Sequence, residues 1–191
     1  MSLFKIFISA FLINNVIFMR FLALCPFIGM STDEDKSIGM GLAVTFVMVL
    51  ATCVTYPIYK VILEPQGLVF LRLLVFILVI ASLVQLVEFY LKKSAPALYS
   101  SMGIYLALIT TNCAILGVTL DVIDNGYTFV ESVVYAIGVA MGFLLSLLLL
   151  AGIRKRLRIS PVPAFLKGPP ILFVTAALLS LAFTGFSGLV K

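Results

Sequence analysis

The stretch FVESVVYAIGVAMGFLLSLLLLAGI, residues 129–153, holds one charged side chain, Glu131, and is closed by the basic run RKRLR at 154–158. Coiled as a helix it rises about 1.5 Å per residue, enough to cross a hydrocarbon core of about 30 Å. It lacks the two-residue alternation of a barrel strand. The rest of the chain repeats the pattern. Apolar segments run about Leu3–Leu24, Ile38–Leu63, Leu68–Leu91, Tyr99–Leu120 and Pro170–Val190, and Phe129–Ile153 completes six. The breaks between them carry charge, proline and glycine: Asp33 to Lys36, Glu64 to Gly67, Lys92 to Pro96, Asp121 to Thr128, and Arg154 to Pro169. The expected fold is all-α, with six transmembrane helices in a single transmembrane domain over residues 1–191.

Composition excludes the alternatives. Of 191 residues, 63% are hydrophobic and 11% charged, and mean hydropathy is +1.24. A soluble domain carries about 25% charged residues, so this inventory cannot build a water-facing surface. There is no histidine, which excludes histidine-dependent triads, the usual zinc sites and histidine-ligated haem within the chain. Three cysteines do not make a disulfide framework. The stretch beginning at Leu3 has neither a basic n-region nor a small-residue cleavage site, so it is expected to remain as the first span.

The net charge of +5 is distributed unevenly. Loops after spans one, three and five hold Lys36, Lys92, Lys93, Arg154, Lys155, Arg156, Arg158 and Lys167, whereas the opposite side holds Lys5, Lys60, Arg72 and Lys191. Basic loops stay in the cytoplasm. Both termini are therefore expected outside it.

Two short stretches repeat at an offset of 88 residues: Cys25-Pro26-Phe27-Ile28-Gly29 with Asp33 beyond, and Cys113-Ala114-Ile115-Leu116-Gly117 with Asp121 beyond. Glycine follows cysteine at +4 and aspartate at +8, with an aliphatic residue at +3. Three spans lie between the copies, so the halves (about 1–95 and 96–191) read as inverted three-helix repeats. Eight helical residues rise about 12 Å, which puts each cysteine inside the hydrocarbon. Spans one and four are thus expected to be discontinuous at the cysteine motifs, with Cys25 and Cys113 close together near the bilayer midplane. Pro26 removes a donor, Gly29 and Gly117 permit close backbone approach, and Thr110, Thr111 and Asn112 offer side-chain hydrogen bonds. Irregular backbone at that depth is tolerated where it is buried in protein or lines a cavity.

Two thiols meeting there have few uses. A disulfide would leave the breaks unexplained, and zinc wants more ligands, usually with histidine. Iron–sulfur clusters take four thiolates, so a cluster would need two more from a partner. The alternative is that each cysteine is a small buried hydrophobe. Cys53, in span two, has no repeat mate and takes that reading.

The stretches Phe21 to Gly29 and Leu108 to Gly117 resemble the paired signatures of the A subunits of Rnf electron transport complexes. The resemblance extends to Gly39-Met40-Gly41-Leu42-Ala43, to Phe76 to Ala81 and to the tail from Leu181 to Lys191. More distantly, the chain resembles the E subunit of the sodium-pumping NADH:quinone reductase. The resemblance implies a translocase of the bacterial or archaeal cytoplasmic (inner) membrane that exchanges electrons between ferredoxin and NAD and moves sodium ions or protons. It implies a homologous six-helix partner of opposite orientation (Rnf E-type), flavin- and iron-sulfur-carrying companions, and a [2Fe-2S] cluster shared between the two membrane subunits. Carried over, Cys25 and Cys113 are this chain's two ligands. One departure is the acidic run Asp33-Glu34-Asp35, where more basic character is expected.

Two rival functions remain on the sequence alone: a secondary transporter, which shares inverted repeats and broken helices, and a structural membrane scaffold. Arg20 either favours a reduced cluster by its charge or snorkels to an interface. Glu88 either pairs with Lys92 one turn on or belongs to an ion path. Asn14 and Asn15 read as helix bridges, and Ala136, Gly138, Ala140 and Gly142 as a face for close packing.

Overall fold

A computed structural model describes residues 3–32, 34–67, 69–94, 108–161, 163 and 166–185. Among the described residues the structure is helical throughout. In order come α1 (Leu3–Ile8), continued by a π-helical turn (Ser9–Ile13), α2 (Val16–Arg20), α3 (Leu24–Met30) and α4 (Glu34–Ile58), continued by a second π-helical turn (Tyr59–Leu63). There follow α5 (Glu64–Gln66), α6 (Arg72–Ser94), α7 (Cys113–Asp124), α8 (Phe129–Leu157) and α9 (Pro169–Thr184). Three stretches are long and apolar enough to cross a membrane, Ser37–Leu63, Arg72–Phe89 and Phe129–Leu157, and Leu3–Ile13 and Pro169–Thr184 are shorter apolar helices. Residues 99–107 of the expected fourth span lie outside the described residues, as do Asp33, 95–98 and the tail from 186.

The core is built on α4 and α8, which pack along much of their lengths. Met40, Val44, Met48 and Ala51 from α4 meet Ala136, Ala140, Phe143 and Leu147 from α8, all fully buried. Gly41 admits the Leu144 side chain, which occupies the space a Cβ would need. The small residues of α8 do the same for the first span. A Cβ on Gly138 would lie 3.0 Å from Ala10 Cβ, and one on Gly142 only 2.8 Å from the Phe11 carbonyl oxygen. The small-residue face therefore packs against a helix of this same chain.

α6 buries one stripe, Phe76, Ile80 and Val84, spaced four apart. Its remaining surface exposes Leu73, Leu74, Ile77, Leu78, Leu86 and Phe89, as a helix does when lipid is its solvent. Pro57 lies within α4 and lacks the N–H that would bond the Cys53 carbonyl one turn back. The helix continues past it and passes into the π-helical turn.

Polar groups gather at two ends of α8, whose 29 residues span about 43 Å. At its C-terminal end Arg154 donates to the Ile28 carbonyl at 3.0 Å and to Ser31 Oγ at 3.2 Å. Beside it Arg158 donates to the Thr32 carbonyl, and Lys155 pairs with Glu34 at 3.2 Å. At the N-terminal end Thr128 and Glu131 form a capping box, and Arg72 pairs with Asp124 at 2.6 Å. Burial, with the Asp121 and Glu131 carboxylates, pushes the Tyr127 phenol up, so it stays neutral.

Candidate functional site

The first span is interrupted twice. After the π-helical turn, Asn14 N–H bonds the Ser9 carbonyl and Asn15 leaves the helix at ψ 114°. Asn15 Oδ1 then accepts from Ile17 N–H at 3.1 Å, capping α2. Its amide nitrogen donates to the Gly142 carbonyl at 3.0 Å and to Ser146 Oγ at 2.8 Å, which makes it the bridge between the first span and α8. The second interruption joins α2 to α3 through Phe21 and Ala23, both left-handed at φ 53° and φ 60°. Left-handed geometry costs a residue with a Cβ about 1–2 kcal/mol.

The break falls before the proline, not at it. Cys25 and Pro26 sit in the first turn of α3, where a missing N–H costs nothing, because first-turn donors have no intrahelical acceptor anyway. Cys113 is placed in the same way, as the first residue of α7. Before it, Asn112 is extended at ψ 109° and its Oδ1 accepts from Ala114 N–H at 3.0 Å. Both thiols therefore lie in the first turn of a helix, Cys113 directly after a non-helical residue and Cys25 one position further in.

A hydrogen bond links the segment before Cys25 to Cys113. Ala23 N–H donates to Cys113 Sγ at 2.8 Å, and Ala23 is two residues from Cys25. The Cys25 and Cys113 thiols are free and exposed on this chain, whereas Cys53 lies half-buried in α4. Asn112 Nδ2, next to Cys113, is buried with no hydrogen-bond partner among the described residues. Among the described residues no third cysteine, aspartate or glutamate gathers with these two to complete a metal site.

Arg20 has an acidic partner, and about half of its side chain is exposed. Its Nη1 reaches both carboxylate oxygens of Asp121, at 2.5 and 2.7 Å. Asp121, read from the sequence as the start of a loop, lies inside α7 and is buried. Tyr135 from α8 donates its hydroxyl to Asp121 Oδ2 at 3.2 Å. Nothing in the sequence singled out Tyr135. Of the two motif glycines only Gly117 is closely approached, and nothing lies within 4 Å of where a Cβ on Gly29 would be. Glu88 sits half-buried in α6.

Bilayer-length apolar helices with polar ends about a membrane's thickness apart define an all-helical integral membrane protein. The chain belongs to the Rnf-Nqr family: the family model described as "Rnf-Nqr subunit, membrane protein" matches residues 3–190. Over 189 residues it is 52% identical to the A subunit of the Na(+)-translocating ferredoxin:NAD(+) oxidoreductase complex of Acetobacterium woodii, covering 99% of this chain and 98% of that protein. The A subunit of the ion-translocating oxidoreductase complex of Syntrophotalea carbinolica is 53% identical with the same coverage. Its counterpart in Vibrio cholerae is 48% identical over 184 residues, covering 96% of this chain and 95% of that protein.

Proposed function

We propose that this chain is the A-type membrane subunit of an ion-translocating ferredoxin:NAD+ oxidoreductase complex. In it Cys25 and Cys113 provide two of the four thiolates of an intramembrane [2Fe-2S] cluster. Relatives about half identical along their whole length support membership of such a complex. The observation that carries the ligand assignment is the hydrogen bond from Ala23 N–H to Cys113 Sγ. It holds the residue two positions before Cys25 against the Cys113 thiol, and both cysteines lie in the first turns of their helices and are exposed on this subunit.

The residues present fit half of a four-thiolate site. Two exposed thiols, a backbone donor and the orphaned Asn112 amide suit an anionic cluster whose sulfurs accept hydrogen bonds. A homologous six-helix subunit of opposite orientation supplies the other two ligands, which makes the site an interface. The bound cluster supplies a one-electron relay across the membrane interior. The protein's part is to hold the two thiolates, exclude water and set hydrogen bonding around the sulfurs.

The same reading takes the chain as two inverted three-span halves, with spans one and four interrupted next to Cys25 and Cys113. It places both termini outside the cytoplasm of a prokaryotic cell. Reduction of the purified complex should give a [2Fe-2S] paramagnetic resonance signal that Cys25→Ser or Cys113→Ser abolishes along with electron transfer. Cys53→Ser should leave both intact. A signal that survives either of the first two substitutions overturns the assignment.

A further inference from the structure

Cys113, Gly117 and Asp121 are spaced four apart on α7, so they line one helix face, turn above turn. The segment from Arg20 to Ala23 runs along that face in the opposite direction and meets it once per turn. Ala23 N–H reaches Cys113 Sγ at 2.8 Å. Leu22 lies over Gly117, where a Cβ would be 2.8 Å from Leu22 Cδ1. Arg20 closes on Asp121, which Tyr135 ties to α8.

The segment held this way is strained. Two left-handed residues with side chains, Phe21 and Ala23, persist where surrounding contacts over-determine them, and three contacts on consecutive turns do that. The sequence pattern cysteine, glycine at +4, aspartate at +8 thereby acquires a physical meaning in its second copy. Cysteine accepts the backbone donor, glycine makes room for the leucine, and aspartate takes the guanidinium.

We propose that the Cys113–Gly117–Asp121 face is a docking track for the Arg20–Ala23 link, and that Arg20, Gly117 and Asp121 are positioning residues that set Cys25 opposite Cys113. What the two thiols then hold rests on the function proposed above; the track itself does not. Arg20 acts through Asp121, and the charge of each is matched by the other.

Two readouts on the intact complex test this. One is the g-values and midpoint potential of the reduced [2Fe-2S] signal. The other, made in a Cys53→Ser background after chelation of iron, is the yield of an intrachain Cys25–Cys113 bridge. A short bis-methanethiosulfonate reagent forms it and mass spectrometry reads it. Asp121→Ala and Gly117→Leu should lower the bridge yield about tenfold, in the range found for residues that orient metal ligands, and shift the signal. The charge swap Arg20→Asp with Asp121→Arg should restore both in large part. Arg72→Gln, which breaks only the Arg72–Asp124 pair, should change neither. Should Asp121→Ala not accumulate, Arg20→Lys keeps the charge but loses the two-oxygen contact, and should give an intermediate yield.

Wild-type bridging and spectrum in Asp121→Ala, or in Arg20→Lys where that variant replaces it, overturn the track. So does a swap that accumulates yet bridges no better than Asp121→Ala. A wild-type complex with no [2Fe-2S] signal would overturn the proposed function instead, and the bridge yields would still decide the track.

Discussion

Asn15 shows how much one side chain can carry inside a bilayer. It caps α2 with its oxygen and holds α8 with its nitrogen, all while fully buried. Inside a bilayer no water is at hand, so polar groups there have to be satisfied within the protein. Replacing it with alanine removes the cap by leaving the Ile17 N–H without that acceptor, a loss of about 1–2 kcal/mol. Asn15→Ala should lower the thermal midpoint of the purified complex measurably, and an unchanged midpoint would show the bridge to be idle. A polar residue in an apolar span announces that it needs a partner, and the sequence alone suggested a helix bridge here. Arg20 was harder to read, because its partner lies 101 residues away in what looked like a loop. A carboxylate at a helix end and one at a loop start have the same neighbours in sequence, and only the fold separates them.

Elements were legible where a single period governs them. The expected Phe129–Ile153 span lies within the observed α8, and Ile38–Leu63 lies within the long stretch Ser37–Leu63, because sustained hydropathy over bilayer length leaves few alternatives. The first span was less legible. Pro26 marks the break in sequence, yet prolines are accepted in a first turn, and the interruption moved to Phe21–Ala23, which carry no breaker residue. What decides that position is the Cys113 helix beside it, which is tertiary information. Small residues were read as one packing face for another helix or subunit; Gly138 and Gly142 face residues 7–15, whereas Ala136 and Ala140 lie in the core with α4. Gly142→Leu should therefore force α1 and its π-helical turn away from α8, since its added Cβ alone would lie 2.8 Å from a backbone carbonyl. Gly29→Ala and Gly152→Ala meet open space. Expression and complex assembly should drop sharply for the first and stay near wild type for the other two; similar behaviour of all three would contradict this packing.

Among the described residues of the whole molecule, Arg154, Lys155 and Arg158 join residues 28–34 at one end of α8, and Arg72 joins Asp124 at the other. The topology proposed above puts the basic end in the cytoplasm, so an alkaline phosphatase fused after Lys191 should be active and a fluorescent protein there dark; the reverse pair of results would invert the topology. The interruptions of the first span also bear on how the chain is made. Asn15 is satisfied by residues 127 and 131 positions later, Arg20 by one 101 positions later, and the Phe18 carbonyl accepts from Ser180, 162 positions on. A ribosome delivers these spans one after another, so the first enters the bilayer with donors and acceptors whose partners have not yet been synthesised. Until the last helix is threaded, that segment must stay hydrated, sheltered in the translocon or shielded by an insertase. A stalled or truncated nascent chain would present unpaired backbone and an arginine to lipid, a state that membrane proteases are suited to remove.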